Sequence, residues 1–323
     1  MTRLLLFGAS GFIGSQVRRA LEADADLVCP GRAECDLAGC DREDLRDLVA
    51  AVRPRAVVSC VGATVGSAAE LVRANTLSAA KLVDAVAVAA PRARLVRLGS
   101  AAEYGPVPFG TSVTEDTPPR PVSDYGISQA AATRFVELAA RTGRVDPVVL
   151  RVFNPIGPGL PRTTLLGRVA ASVARLAPGA DLPTGPLDAH RDFVDVRDVA
   201  AAVRAAVSVP APAARVVNIG SGRAVPVREA VRLLVRTAGA AVEVRENRPP
   251  SPRSAAVDWV RADIRRAATV LGWTPRHELT DSIRMLWHAV AAESAVPDPV
   301  RAGRTGTVPA PERGGPQKEE QMT

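Results

Sequence analysis

Ser100 and Tyr125 are the two side chains whose types and positions first suggest chemistry. Ser100 closes the run Arg94 to Leu98 followed by Gly99, which reads as a buried strand. Tyr125 stands at the start of the next helix, beyond a proline-rich loop over 105–122. Ligands of doubly wound sheets lie outside the carboxyl ends of the strands. A hydroxyl and a phenol placed there could both reach one substrate oxygen. An ordinary loop serine and a helix-start tyrosine fit the same positions. A second arrangement follows Leu4-Leu5-Leu6-Phe7: Gly8, Gly11 and Gly14, spaced Gly-x-x-Gly-x-x-Gly. A buried strand, a glycine turn and an amphipathic run from Phe12 to Ala23 make the first half of a dinucleotide-binding unit. Gly8 permits a sharp turn, Gly11 opens the backbone to a pyrophosphate, and Gly14 lets helix and strand pack closely. The helix N-terminus adds free N–H groups and partial positive charge. A tight strand-to-helix turn with no ligand uses glycines in the same way.

The elements that must position these residues alternate. Strands are expected at 27–29, 56–60, 94–98 and 148–150, and helices at 41–51, 68–90 and from Asp124, as N-cap, to Arg141. That rhythm predicts an α/β fold with a parallel, doubly wound sheet and right-handed crossovers. From Asn154 to Arg191 the rhythm breaks into prolines, glycines and short apolar pieces. A brief strand at 193–194, a helix over 196–207 and a last sheet strand at 216–220 follow. Helices are expected near 227–238, 263–271 and 280–292. The organisation read from this is a nucleotide-binding domain over 1–154 plus 191–220, and a smaller C-terminal substrate lobe from 155–190 and 221–292. A disordered tail is expected over 297–323, where Pro, Gly, Arg and Glu replace aliphatics.

Composition narrows the class. A chain of 323 residues with 47% hydrophobic content can bury a large core. No apolar run approaches the roughly 20 residues of a membrane span, and the N-terminus lacks a signal-peptide pattern. Cys29, Cys35, Cys40 and Cys60 are too few for a disulfide framework and lack metal-ligand spacing, so reduced thiols in a cytoplasmic protein are expected. The net charge is +7, carried by arginine, since Lys81 and Lys318 are the only lysines. Aromatics make up only 3% and interleave with no basic stripe. An anionic small molecule therefore explains the charge better than nucleic acid does. His190, His277 and His288 are scattered, and Asp192, Asp195 and Asp198 read as structural carboxylates rather than a metal site.

Five motifs in order carry a resemblance. They are Gly8-Ala9-Ser10-Gly11-Phe12-Ile13-Gly14, Gly99-Ser100-Ala101-Ala102-Glu103-Tyr104-Gly105, Tyr125-Gly126-Ile127-Ser128-Gln129, Arg151 to Gly159, and Arg191-Asp192-Phe193-Val194-Asp195-Val196-Arg197-Asp198. Over residues 3–290 the chain resembles the extended short-chain dehydrogenase/reductases, the NAD-dependent epimerase/dehydratase family that modifies nucleotide sugars. The last two motifs are most similar to those of GDP-4-keto-6-deoxymannose reductases. The resemblance implies that Tyr125 exchanges a proton with the sugar oxygen while Ser100 holds it. Gln129 stands where the family has a lysine that binds the nicotinamide ribose and lowers the tyrosine pKa. Glutamine can bond the ribose but carries no charge to stabilise a phenolate. Free tyrosine is neutral near pH 7, so this exchange should harm ketone reduction less than alcohol oxidation. The acidic residue of family dehydratases falls on Ala102, and Glu103, one residue out of phase, should point elsewhere; dehydration is not expected.

The resemblance also assigns binding roles. Ser10, Phe12 and Ile13 join the three glycines in the cofactor turn, Asp36 and Leu37 would contact the adenine, and Cys60-Val61-Gly62 would pass beneath the pyrophosphate. After the second strand stands Pro30-Gly31-Arg32 instead of an acidic residue. Arg32 can pair with a 2′-phosphate, so NADP(H) is preferred and NAD(H) possible. Asn154, Arg191 and Arg253 would hold the nucleotide diphosphate of the sugar substrate. Helices 68–90 and 124–141 are apolar on more than one face and need a second surface, and family members pair such helices into homodimers. The expected activity is NADPH-dependent reduction of an NDP-4-keto-6-deoxyhexose. A 4-epimerase with retained cofactor and a catalytically weak NADP-binding protein are the alternatives.

Overall fold

A computed structural model describes residues 2–210, 212–249 and 256–295. The expected tail over 297–323 and Arg253 lie outside the described residues. Strand β1 (Thr2–Phe7) leads through the glycine turn into α1 (Phe12–Leu21), and β2 (Ala25–Val28), α2 (Arg42–Val52) and β3 (Ala56–Ser59) follow. Next come α3 (Ala68–Leu71), a π-helical turn (Val72–Leu77), α4 (Ser78–Ala89) and β4 (Arg94–Ser100) with a 3₁₀ turn (Ala101–Glu103). Helix α5 (Asp124–Arg141) and β5 (Asp146–Val152) complete the first half.

The remainder holds β6 (Pro155–Ile156), α6 (Leu165–Val173), β7 (Asp181–Thr184), β8 (His190–Asp192) and β9 (Val194–Asp195). It continues with α7 (Val196–Ser208), β10 (Val216–Ile219), β11 (Ala224–Pro226) and α8 (Val227–Thr237). Strand β12 (Glu243–Glu246), α9 (Arg265–Leu271) and α10 (Leu279–Ala295) end the described chain.

Six strands form one parallel sheet in the order β2-β1-β3-β4-β5-β10. The chain leaves β1 towards one edge and returns to β3 on the other side, so the crevice between β1 and β3 is the switch point where such sheets bind ligands. Leu4, Leu6, Val58 and Val96 face α1 and α7, while Leu5, Phe7, Val57 and Leu95 face α2, α4 and α5. Alternate residues of one strand thus enter two different cores, as a sheet covered on both sides requires. A third apolar cluster joins α6, α8 and α10 through Val169, Val231, Leu234, Ile283 and Leu286. Among the described residues no helix is long and apolar enough to cross a membrane.

Two expectations need correction. The helix over 68–90 is not uniform, because a π turn interrupts it at Val72–Leu77, and such turns concentrate at functional sites. Its cause is visible in the buried Asn75 and Thr76, whose side chains bond outside the helix. The cap of α5 is Ser123, not Asp124: the Ser123 hydroxyl accepts the Gly126 N–H, and Asp124 is the first helical residue.

Candidate active site

The glycine turn fits a dinucleotide. Gly8 adopts φ +78°, a left-handed conformation, and a Cβ there would lie 3.0 Å from the Cys60 carbonyl carbon. Gly14 packs against the turn so tightly that a Cβ would approach the Gly8 carbonyl oxygen to 1.8 Å. Gly11 is the N-cap of α1 and provides no side-chain cap, leaving the first helical N–H groups directed at the crevice. Ser10 is exposed on the turn. Ile13 packs into the sheet core. Phe12 packs with the α6–α8–α10 cluster instead, and its ring lies 3.9 Å from the Cβ position of Gly159. Cys60 donates its N–H to the Phe7 carbonyl at 3.0 Å, which brings Cys60-Val61-Gly62 against Gly8. Burial pushes the Cys60 thiol up to about 12, removing it as a nucleophile near neutrality. Arg32 is exposed beyond β2. Leu37 is core, clustered with Leu5, Phe7 and Val49. Asp36 accepts the Ala38 N–H at 3.2 Å.

A close helix–turn contact sets the start of α5, which carries Tyr125, against the turn that follows Ser100. Ser100 ends β4 opposite Val152, and its hydroxyl oxygen accepts the Ala102 N–H at 3.1 Å. The hydroxyl proton can still be donated. Gly126 allows α5 to press on the 3₁₀ turn, because a Cβ there would stand 2.5 Å from the Ala102 carbonyl oxygen. Tyr125 and Gln129 are four residues apart on α5, hence on one face. Glu103 turns into the core, where it accepts the Ser100 N–H and the Thr133 hydroxyl at 3.0 Å each and the Arg151 Nε at 2.8 Å. It is fully buried.

Asn75, which sequence reasoning did not single out, clamps the crevice. Its side-chain oxygen accepts the Ala63 N–H at 2.8 Å, and its nitrogen donates to the Ala63 carbonyl and the Ser128 hydroxyl at 2.9 Å each. The π turn thereby ties the segment after β3 to α5. Gly62 is needed there, since a Cβ would lie 2.9 Å from the Asn75 oxygen. Arg97 is the second residue missed. The sequence suggests no cation beside residue 129, yet Arg97 on β4 donates to the Gln129 side-chain oxygen at 2.6 Å, and both residues are buried. The strand carries two arginines, Arg94 and Arg97, and nothing in the sequence marks Arg97 as the one that meets residue 129.

On the far side, Asn154 follows β5 two residues after the partner of Ser100 and adopts φ +27°. It donates to the Asp192 carbonyl at 2.9 Å, next to Arg191, whose guanidinium donates to the His190 carbonyl at 2.9 Å. The three aspartates are spent on structure. Asp192 accepts from Ser221, Gly222 and Ala262. Asp195 caps α7 and holds Arg197 and Ser282, and Asp198 accepts the Arg276 and His277 N–H groups. The four cysteines are free thiols, with Cys35 and Cys40 sulfurs 3.7 Å apart.

A parallel sheet with a glycine turn at its switch point, and a serine and tyrosine over the adjoining strand end, is the framework of a nicotinamide-dependent enzyme. The chain belongs to the NAD dependent epimerase/dehydratase family, whose family model matches residues 4–220. It is 38% identical over 303 residues to a dTDP-6-deoxy-L-talose 4-dehydrogenase (NAD(P)(+)) of Kitasatospora kifunensis, covering 89% of this chain and 95% of that protein. Identity to a GDP-6-deoxy-D-mannose reductase of Pseudomonas aeruginosa is 28% over 297 residues, 88% of this chain and 95% of the other. The structure of RMD from Pseudomonas aeruginosa complexed with NADPH superposes with a TM-score of 0.80 at 26% identity, covering 91% of this chain and 100% of that one.

Proposed function

We propose that this protein transfers hydride between NADP(H) and C4 of a nucleotide-diphosphate 6-deoxyhexose, acting as the reductase of the 4-keto sugar. A 4-dehydrogenase and a 4-keto reductase of 6-deoxyhexoses are one reaction read in opposite directions. The full-length similarity to an enzyme named for that reaction is the observation that carries the reading. Ser100 donates a hydrogen bond to the C4 oxygen, where negative charge develops. Tyr125, on α5 beside it, delivers the proton to that oxygen in reduction and removes it in oxidation. A nicotinamide held there would supply the hydride. Gln129 holds the ribose, and the Gly8–Gly14 turn with Cys60-Val61-Gly62 cradles the pyrophosphate. Exposed Arg32 meets the 2′-phosphate, which favours NADP(H) over NAD(H). Asn154 and Arg191 hold the diphosphate of the sugar, with Arg253 as a further candidate. The four unbridged thiols suit the reducing cytoplasm.

A homodimer fits the surface. Val72, Leu77, Val88, Ile127, Phe135 and Leu138 are exposed apolar side chains on the π turn, α4 and α5, the two helical stretches expected to need a second face. The activity is tested by adding a dTDP- or GDP-4-keto-6-deoxyhexose to the enzyme with NADPH. One NADPH consumed per sugar is expected. Interconversion of two sugars with no net cofactor loss, by protein that keeps its cofactor through purification, would make it an epimerase.

A further inference from the structure

The lysine position of the family holds Gln129, but the structure supplies a cation one layer deeper. Arg97 lies on β4 between Ser59 of β3 and Val149 of β5, and it is 4% exposed. A guanidinium can only donate. Its bond to Gln129 therefore fixes the carboxamide, with oxygen towards Arg97 and the NH₂ turned the other way. The Gln129 nitrogen lies 3.7 Å from the Cβ position of Gly62, in the segment that borders the crevice.

The local charge does not cancel. Glu103 is the carboxylate whose charge acts on Arg97, and its oxygens are committed to Arg151, Thr133 and the Ser100 N–H. Arg97 and Arg151 are two cations against one anion. The Arg97 Nη1 is the one buried side-chain nitrogen or oxygen without a hydrogen-bond partner among the described residues. Arg97 lines a small cavity whose walls are mostly apolar, Leu82, Leu95 and Val136 among them, with Ser59, Asn75 and Ser78 as its other polar members. Burial pulls the Arg97 guanidinium below its ordinary range, while Glu103 and a Tyr125 phenolate act in the opposite direction. A buried, incompletely paired cation is costly to keep, so a negative charge forming nearby is stabilised. The groups that bond it, act on it or line the cavity with it are Glu103 from the 3₁₀ turn, Tyr125 and Gln129 from α5, Asn75 and Ser78 from the π turn and α4, and Ser59 from β3.

We propose that Arg97 and Gln129 together replace the family's lysine: Arg97 provides the charge and orients Gln129, and the polarised Gln129 NH₂ provides the ribose contact. Arg97 is a positioning residue that acts through Gln129 and through its field at Tyr125. The inference rests on the roles given above to Tyr125 and Gln129. It changes the expectation for Gln129→Lys, which would bury an ammonium against a guanidinium instead of restoring a missing charge.

The test uses wild type, Arg97→Met, Gln129→Lys, the double variant Arg97→Met/Gln129→Lys, and Gln129→Met. The chain contains two tyrosines, Tyr104 and Tyr125, and burial pushes Tyr104 up to about 12. The difference in phenolate absorbance between the cofactor-free protein and its Tyr125→Phe variant therefore isolates Tyr125. Arg97→Met should move that titration to higher pH, as removal of a nearby opposite charge does. Gln129→Lys should lower urea stability, and the double variant should recover both stability and titration. Gln129→Met should weaken NADPH binding about tenfold, about 1.4 kcal/mol, without moving the titration. An unmoved titration in Arg97→Met, or single effects that simply add in the double variant, would overturn the proposal. Should Arg97→Met fail to fold, a double variant that folds supports it, and one that fails as well while Gln129→Lys is as stable as wild type overturns it. Neither readout uses a sugar, so failure here is separable from inactivity towards 4-keto sugars.

Discussion

At the residue scale the proposed chemistry rests on two oxygens, those of Ser100 and Tyr125, and what holds them. Tyr125→Phe removes the proton donor and should lower turnover by about 10² to 10⁴, measured as NADPH oxidation at saturating sugar. Ser100→Ala should cost about 10² to 10³, since it deletes one donor to the developing oxyanion. Arg32→Ala should weaken NADPH binding and leave NADH binding nearly unchanged in parallel fluorescence titrations; equal losses would remove Arg32 from the 2′-phosphate. Ser100, Tyr125, Gln129 and the three glycines could be singled out as candidates because they occur at fixed offsets within short motifs. Arg97 and Asn75 were not. Arg97 meets a partner 32 residues away, and Asn75 one 53 residues away, so only the stacking of β4, the π turn and α5 reveals them. In a chain this rich in arginine, Arg97 looks like any other.

At the element scale the site depends on how closely α5 approaches the turn after β4. Gly126→Ala would force the helix off the Ala102 carbonyl. It should cost about 1–3 kcal/mol of stability and reduce turnover beyond that, because Tyr125 moves away from Ser100. A fully active Gly126→Ala would show that the contact does not position the phenol. The strand and helix sequence was readable from apolar runs and their punctuation. The π turn was not, since Val72–Leu77 has no helix breaker and its distortion arises from bonds that Asn75 and Thr76 make across the crevice. The exposed Ile127, Phe135 and Leu138 on α5 give the dimer its test. Light scattering should report about twice the 33.7 kDa chain mass, and Phe135→Glu/Leu138→Glu should halve it.

At the scale of the whole molecule, buried carboxylates join the sheet to the C-terminal elements. Asp195 caps α7 and accepts the Ser282 hydroxyl of α10 at 2.6 Å. Desolvation raises its pKa, but the bonds from Arg197 and Ser282 outweigh this and hold it below the ordinary value. A depressed folded-state pKa stabilises the fold above the unfolded value of about 3.9, and the gain is lost as pH falls through the folded value. Asp195→Ala should cost about 2 kcal/mol at pH 7, the sum of a lost cap and a charged hydrogen bond. In urea titrations its deficit against wild type should be constant at neutral pH and shrink below about pH 4. A deficit that grows with acid would reverse the assigned sign.

The central claim is hydride transfer at C4 with Tyr125 as the proton donor. It is tested most directly with NADPH carrying deuterium at the transferred position and an NDP-4-keto-6-deoxyhexose. Wild type should place one deuterium on C4 of the product, and Tyr125→Phe, with cofactor binding intact, should do so at least 10²-fold more slowly. Deuterium at any other carbon, no transfer at all, or an unslowed Tyr125→Phe would contradict the account.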